Sequence, residues 1–375
     1  MKRVIKKKII KKLQNIMAVC FCFVSLIIMG LKITHYADSN YSFFSNAAAC
    51  LIMPVGAKSY ICENFKYEYI NGEVFKLEYS DKSELENKEK IIPTEESAAA
   101  GETNRPTADS DGQPRYSIIE KQITGNGTFY ENFWVKNSTS IDINIPDLLS
   151  KRPDAVIELN KDVQVLIVHT HTSESYIDKD LGYYPADFYP RCTDPDYNVV
   201  AVGEAIKTQL ENAGIKTLHD TTVHDNPTYN GAYSRTAQTI INNLQNHPSL
   251  KVVLDIHRDS IGNDESGRVK PTFTYNGKKA AQVMIISGCD EGGSWYFPEW
   301  EYNLRLALRI QQMGEKMYPG LMRPLNFSVS EYNMSITRNS LLLEVGSDVN
   351  TFDEAVYSGE LLGKVLSEVL LDLTE

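Results

Sequence analysis

Two kinds of hydrophobic pattern divide the chain. Ile16 to Leu31 (IMAVCFCFVSLIIMGL) is an apolar run without a charged residue, as in a signal anchor or signal peptide. Its sixteen positions make a helix of about 24 Å, short of the roughly 30 Å hydrocarbon core. Ile33 extends the run, and Lys12 and Lys32 can snorkel at its ends. From about Tyr116 onward, short β-branched runs alternate with helical periodicity. Val163 to His169, Ile215 to Leu218, Lys251 to Ile256, Gln282 to Ser287 and Ser340 to Val345 read as strands. Asn198 to Gly214, Ser234 to His247 (capped by Ser234), Pro298 to Met317 and Thr351 to Leu373 read as helices. This alternation predicts an α/β fold: a three-layer domain with a mainly parallel central sheet, whose ligands bind at the carboxyl ends of its strands.

Between these regions, residues 80–115 are rich in Glu, Ser, Asp and Pro and nearly free of aromatics. Such a stretch buries too little apolar area to offset its ordering entropy, which predicts a disordered linker. Residues 36–79 carry Tyr41, Phe43, Phe44, Phe65, Tyr67 and Tyr69 and read as a membrane-proximal module or a stalk. The expected order is therefore a basic stub and transmembrane anchor (1–35), a membrane-proximal segment (36–79), a linker (80–115) and a catalytic domain (116–375).

Charge sharpens the topology. The 375 residues carry a net charge of −11, but seven cations and no acid lie in the first twelve positions. The remainder holds 31 basic against 49 acidic residues, a balance of −18. The positive-inside rule keeps the amino terminus cytoplasmic and sends the rest outside the cell membrane as a single-pass protein. A cleaved signal peptide is the second reading, although the small residues Ala47 to Ala49 lie far beyond the apolar run. So acidic an exterior excludes general nucleic-acid binding, which rests on cationic contacts to phosphate. Cys50, Cys62, Cys192 and Cys289 allow three disulfide pairings or free thiols, and the last two are weak candidates for a catalytic thiol.

Three of the seven histidines stand at strand ends: His169 and His171 after VLIV, and His257 after VVLDI. The other four, among them His219, His224 and His247, read as incidental residues of polar turns. Glu174 lies three residues after His171, and Glu344 terminates SLLLE. A single histidine in such a place is ordinarily a hydrogen-bonded residue, and H-x-x-E alone is a weak pattern. Three histidines and two glutamates at matching strand ends form a candidate zinc site, with three protein ligands and a fourth position for water. Strand alternation would put His169 and His171 on the same side of the sheet. Arg258 is a candidate for oxyanion stabilisation or for a structural ion pair with Asp259.

VLIVHTHTSESY (Val165 to Tyr176), DIHRDS (Asp255 to Ser260), the Tyr318 to Gly320 turn and LLLEVGSDVNTFDEA (Leu341 to Ala355) closely resemble the stage II sporulation protein P family. The resemblance covers roughly Ile141 to Leu373. That family is similar to the zinc N-acetylmuramoyl-L-alanine amidases, so the resemblance implies a zinc amidase, phosphorylase/hydrolase-like fold. It implies cleavage of the bond between N-acetylmuramic acid and the L-alanine of peptidoglycan stem peptides during engulfment in sporulation, with some endopeptidase activity. It also implies partnership with stage II sporulation proteins D and M. The implied metal ligands are His169 or His171, Glu174 and His257, with Asp194 or Asp196 open as alternatives to Glu174; Glu344 is the implied catalytic residue. A zinc carboxypeptidase or endopeptidase, or a non-catalytic wall-binding scaffold, are the competing readings.

Overall fold

The computed structural model describes two strands, Phe65–Ile70 (β1) and Glu73–Tyr79 (β2), and then residues 114–374 except 294. The expected anchor (1–35), Cys50, Cys62 and nearly all of the expected linker lie outside the described residues. Strands β1 and β2 pair as an antiparallel hairpin within a unit of their own. No helix among the described residues is long and apolar enough to cross a membrane.

The second unit runs through β3 (Arg115–Lys121), β4 (Thr128–Tyr130), β5 (Phe133–Asn137), α1 (Ile145–Ser150), β6 (Val165–Val168), β7 (Tyr183–Pro185), α2 (Val199–Asn212), β8 (Thr217–His219) and α3 (Ala232–Asn246). It continues through β9 (Val252–Asp259), β10 (Gly262–Asn263), β11 (Gly267–Tyr275), β12 (Lys278–Ala281), β13 (Val283–Cys289), α4 (Trp300–Met317), β14 (Leu325–Val329), β15 (Ser340–Ser347) and α5 (Phe352–Leu371). Eight strands form the main sheet in the order β4-β5-β14-β13-β15-β9-β6-β8. Pairing is parallel from β15 through β9 and β6 to β8. It reverses between β15 and β13 and again between β4 and β5. The expected mainly parallel sheet is thus present as a four-stranded parallel half, joined to β13, β14 and β5, which are parallel to one another and run the other way, with β4 antiparallel at the edge.

Side-chain alternation separates the layers. Val165, Ile167, Val252, Leu254, Ile256, Leu341 and Leu343 point to one face and pack with residues of α2, α4 and α5 such as Ile206, Leu308 and Leu362. Leu166, Val168 and Val253 point to the other, against Ala237 and Ile240 of α3 and Ile336. Helices α2 and α5 approach closely because Gly359 and Gly363 lack side chains: a Cβ on either would lie 2.9 Å from the carbonyl oxygen of Val202 or Ile206 respectively. Helix α2 is capped by Asn198, whose side chain accepts from the Val200 N–H. Helix α5 starts in a capping box between Thr351 and Glu354. The expected Ser234 cap is displaced: α3 begins at Ala232, after Gly231, with no side-chain cap.

A second sheet, β10-β11-β3-β7 with β12 on β11, has no counterpart in the predicted strands. Its central strand GRVKPTFTY carries a lysine and a proline, which mask an apolar pattern. Lys270 is nevertheless buried, because Asp180 (2.7 Å), Glu354 (3.1 Å) and Glu120 (3.2 Å) surround its ammonium. Paired in this way, a buried charge is tolerated.

Leu343 is wholly buried in the centre of the sheet. Leu343→Ala is expected to lower the unfolding free energy by about 2–5 kcal/mol, and Thr351→Ala by about 1 kcal/mol. Denaturant titration measures both; equal losses would contradict the placement of Leu343 in the core.

Candidate active site

Strand β9 does not end at His257. It continues to Asp259 and pairs in parallel with β15, so that Glu344 stands directly across from His257. Leu254 and Ile256 face the α2 layer, so Asp255 and His257 project to the opposite face. Leu341, Leu343 and Val345 face the α2 layer likewise, which places Glu344 on the same face as His257. The turn after β6 brings His171 to within 5.2 Å of the His257 ring, centroid to centroid. It also sets Glu174 Oε2 3.4 Å from His257 Nδ1. His171, Glu174, His257 and Glu344 are thereby brought together.

Asp255 organises the junction. Its carboxylate accepts from the Thr170 N–H (2.8 Å) and Oγ1 (2.6 Å), tying the end of β6 to β9. The same carboxylate lies 3.0 Å from His257 Nε2, outside hydrogen-bonding alignment. Glu174 Oε2 accepts from the Arg258 N–H at 3.1 Å.

Burial dominates the electrostatics. It pushes His171 down to about 3, with Glu174 opposing. Burial disfavours the charged form of His257 too, yet the Asp255 and Glu174 carboxylates raise it well above its ordinary value. Burial would raise Glu174, but Arg258 and His257 hold it below the usual carboxylate range. For Glu344, burial and then Asp259 raise the carboxyl to about 8.

Several expected roles change. His169 does not share a side with His171, because the chain leaves strand geometry at Val168. His169 Nδ1 lies 3.0 Å from the Ile256 carbonyl oxygen, and its Nε2 lies 2.8 Å from His219 Nε2. His219 closes β8 instead of standing in a turn, and its Nδ1 contacts Glu204 Oε2 at 3.0 Å. The pair fits only beside Gly203, where a Cβ would lie 2.7 Å from His219 Nε2 and 2.9 Å from His169 Nε2. His224 is likewise structural, bonding the His169 carbonyl and Thr239 Oγ1, each at 2.8 Å.

The Arg258 guanidinium is buried among carbonyl oxygens, donating to Ser175 at 3.2 Å and Pro190 at 2.9 Å. The carboxylate of Asp259, the expected ion-pair partner, pairs with Arg323 at 2.8 Å. Asp194 and Asp196 sit on the short turn before α2, where Asp194 accepts from the Asp196 N–H. Cys192 and Cys289 are buried free thiols, and burial raises both, Cys289 to about 11. Neither is an activated nucleophile.

Sequence reasoning missed the aromatic wall. Tyr233 from α3 lies parallel to the His257 ring at 6.3 Å and stacks on Tyr332 at 5.3 Å. Tyr229 stacks on His171. Tyr229 and Tyr233 share the YNGAY stretch around Gly231, which carries no signature of its own, and Tyr332 comes from a segment about a hundred residues later.

The donor set suits zinc, which takes imidazole and carboxylate ligands. Both ring nitrogens of His171, His257 Nε2 and Glu344 Oε2 are buried without hydrogen-bond partners, and such orphaned atoms call for an ion, a water or a substrate. With the side chains as they stand, no three His, Cys, Asp or Glu among the described residues are spaced to hold a metal ion.

Residues 51–367 match the family described as stage II sporulation protein P. The stage II sporulation protein P of Bacillus subtilis (strain 168) is 28% identical over 225 residues, 56% of this chain and 51% of the relative. The chain thus spans about half the length of that curated relative. Among solved structures, the N-acetylmuramoyl-L-alanine amidase AmiC2 of Nostoc punctiforme is 11% identical with a TM-score of 0.34, covering 56% of this chain and 96% of that one. The N-acetylmuramoyl-L-alanine amidase from Clostridium difficile 630 is 12% identical with a TM-score of 0.32, covering 56% and 97%.

Proposed function

We propose, from the premise that this chain belongs to the stage II sporulation protein P family, that it is a membrane-anchored, zinc-dependent peptidoglycan hydrolase. Its reaction is cleavage of the N-acetylmuramoyl-L-alanine amide during engulfment in sporulation. The observation that carries this reading is the convergence of His171, Glu174, His257 and Glu344 on one face at the strand ends, with unsatisfied buried atoms on three of them.

His171, Glu174 and His257 are the residues that would hold zinc. Bound there, the ion supplies Lewis acidity toward the scissile carbonyl and acidifies the attacking water. Asp255 positions His257, and Thr170 and the Arg258 N–H position the carboxylates of Asp255 and Glu174. In its ionised form Glu344 takes the proton from the attacking water at Oε2 and delivers it to the leaving amine. Tyr332 and Tyr233 stack on each other beside Glu344. His169 stands outside the ligand set, committed to Ile256 and His219.

The basic stub and apolar run of residues 1–35 support a cytoplasmic amino terminus with the catalytic domain outside the membrane. Family membership supports work beside stage II sporulation proteins D and M on the same glycan.

Glu344→Gln is expected to keep zinc while hydrolysis of purified peptidoglycan falls by about 10²–10⁴-fold, the usual contribution of a general acid–base group. Near-native activity would sink the assignment. Mass spectrometry of the digest checks the bond cut: an amidase leaves free muramic lactyl groups and intact stem peptides, whereas shortened peptides would indicate a peptidase.

His171→Ala and His257→Ala should each lower the zinc retained after dialysis, measured by atomic emission, while His169→Ala should leave it stoichiometric. Loss of zinc in the His169 variant alone would reverse the choice between the two histidines.

A further inference from the structure

A metal-binding histidine is ordinarily oriented by a hydrogen bond from its second ring nitrogen to a carboxylate or carbonyl. His257 has such a neighbour in Asp255. His171 does not, since neither of its ring nitrogens has a hydrogen-bond partner. Three aromatic rings pack about it. Tyr229 lies face to face with it, centroids 4.3 Å apart and planes 10° from parallel. Tyr233 and His257 meet it edge-on, at 5.4 Å and 85° and at 5.2 Å and 87°. Face stacking leaves the in-plane lone pairs of the imidazole unobstructed, so it fixes orientation without consuming a donor atom.

The stacking residue is itself held. Arg191 places its guanidinium 4.9 Å from the centre of the Tyr229 ring. The guanidinium pairs with Asp225 at 3.0 Å. The Asp225 carboxylate also accepts from the Ser173 Oγ at 2.6 Å and the Ser173 N–H at 3.1 Å. Ser173 lies two residues from His171, so the chain of contacts closes on the turn that carries the histidine. Three separate segments, around Ser173, Arg191 and Asp225 to Tyr229, are cross-linked about one buried carboxylate.

We propose that Tyr229, clamped by Arg191 and Asp225, is the positioning residue for His171 and takes the part that the neighbouring Asp255 carboxylate, 3.0 Å from Nε2, plays for His257. This inference rests on the reading of His171 as a zinc ligand. It predicts that the stacked ring, and not the phenol hydroxyl, sets zinc affinity. It also predicts that the Arg191–Asp225 pair acts only through Tyr229.

The test is competitive zinc titration of the full chain in uncharged detergent, using a chromogenic chelator. Tyr229→Ala should weaken zinc binding by about 10–100-fold, the usual effect of losing a group that orients a ligand. Tyr229→Phe should restore it to within about threefold, a tenfold change being about 1.4 kcal/mol. Arg191→Met should weaken binding in the wild-type background and have no further effect in the Tyr229→Ala background. Thermal unfolding of each apo-protein separates loss of positioning from loss of fold, and the His171 ring resonances by NMR should shift in Tyr229→Ala but not in Tyr229→Phe. Wild-type zinc affinity in a folded Tyr229→Ala variant would overturn the inference. Failure of the wild-type chain to bind zinc would instead overturn the reading beneath it.

Discussion

The parallel register between β9 and β15 is the constraint on which the rest of the site depends. It sets Glu344 against His257 on one face of the sheet while Ile256, Leu343 and Val345 fill the other. Because side chains alternate with period two, a slip of one residue would bury both ionisable groups against α2 and α5 and expose core leucines. The wholly apolar far face therefore specifies the position of the polar near face. Core packing and the geometry of the candidate site are two consequences of one pairing.

That pairing also creates an electrostatic problem. His171, Glu174, Asp255, His257 and Glu344 are held close together at the strand ends, and burial disfavours the charged form of each. The structure answers unevenly. Asp255 is met by Thr170 and His257, and Glu174 by the Arg258 N–H and by His257. His171, Nε2 of His257 and one oxygen of Glu344 are left without hydrogen-bond partners. Native interiors rarely leave such groups unpaired unless an ion, a water or a substrate completes them. The unevenness marks where the chemistry of the site is concentrated.

The fold was partly legible because buried parallel strands read as continuous β-branched runs. VLIV, VVLDI and SLLLEV all became adjacent strands of the main sheet. The second sheet was hidden because Lys270 and Pro271 interrupt its central strand, and the ion network that makes Lys270 a core residue comes from positions as distant as Asp180 and Glu354. Helix limits shifted by a few residues where the cap was tertiary. Gly231 rather than Ser234 precedes α3, because Ala232 and Tyr233 are already buried.

Of the site, the sequence by itself determined the residue types and their place where the apolar runs stop, as for His171, Glu174, His257 and Glu344, although β9 runs on to Asp259 and β15 to Ser347. It also determined the charge segregation of the amino terminus. Only the tertiary structure decided which histidine enters the site. The chain leaves strand geometry after Val168, so alternation no longer governs the next residues, and the space beside Gly203 takes His169 away toward His219. Tertiary structure likewise set the Arg258 guanidinium among the carbonyl oxygens of Ser175 and Pro190 and brought Tyr229, Tyr233 and Tyr332 beside His171 and His257. Local sequence encodes which backbone conformation a segment prefers. The partners of a buried polar atom come from wherever the fold brings another chain segment within about 3 Å, and no local pattern records that.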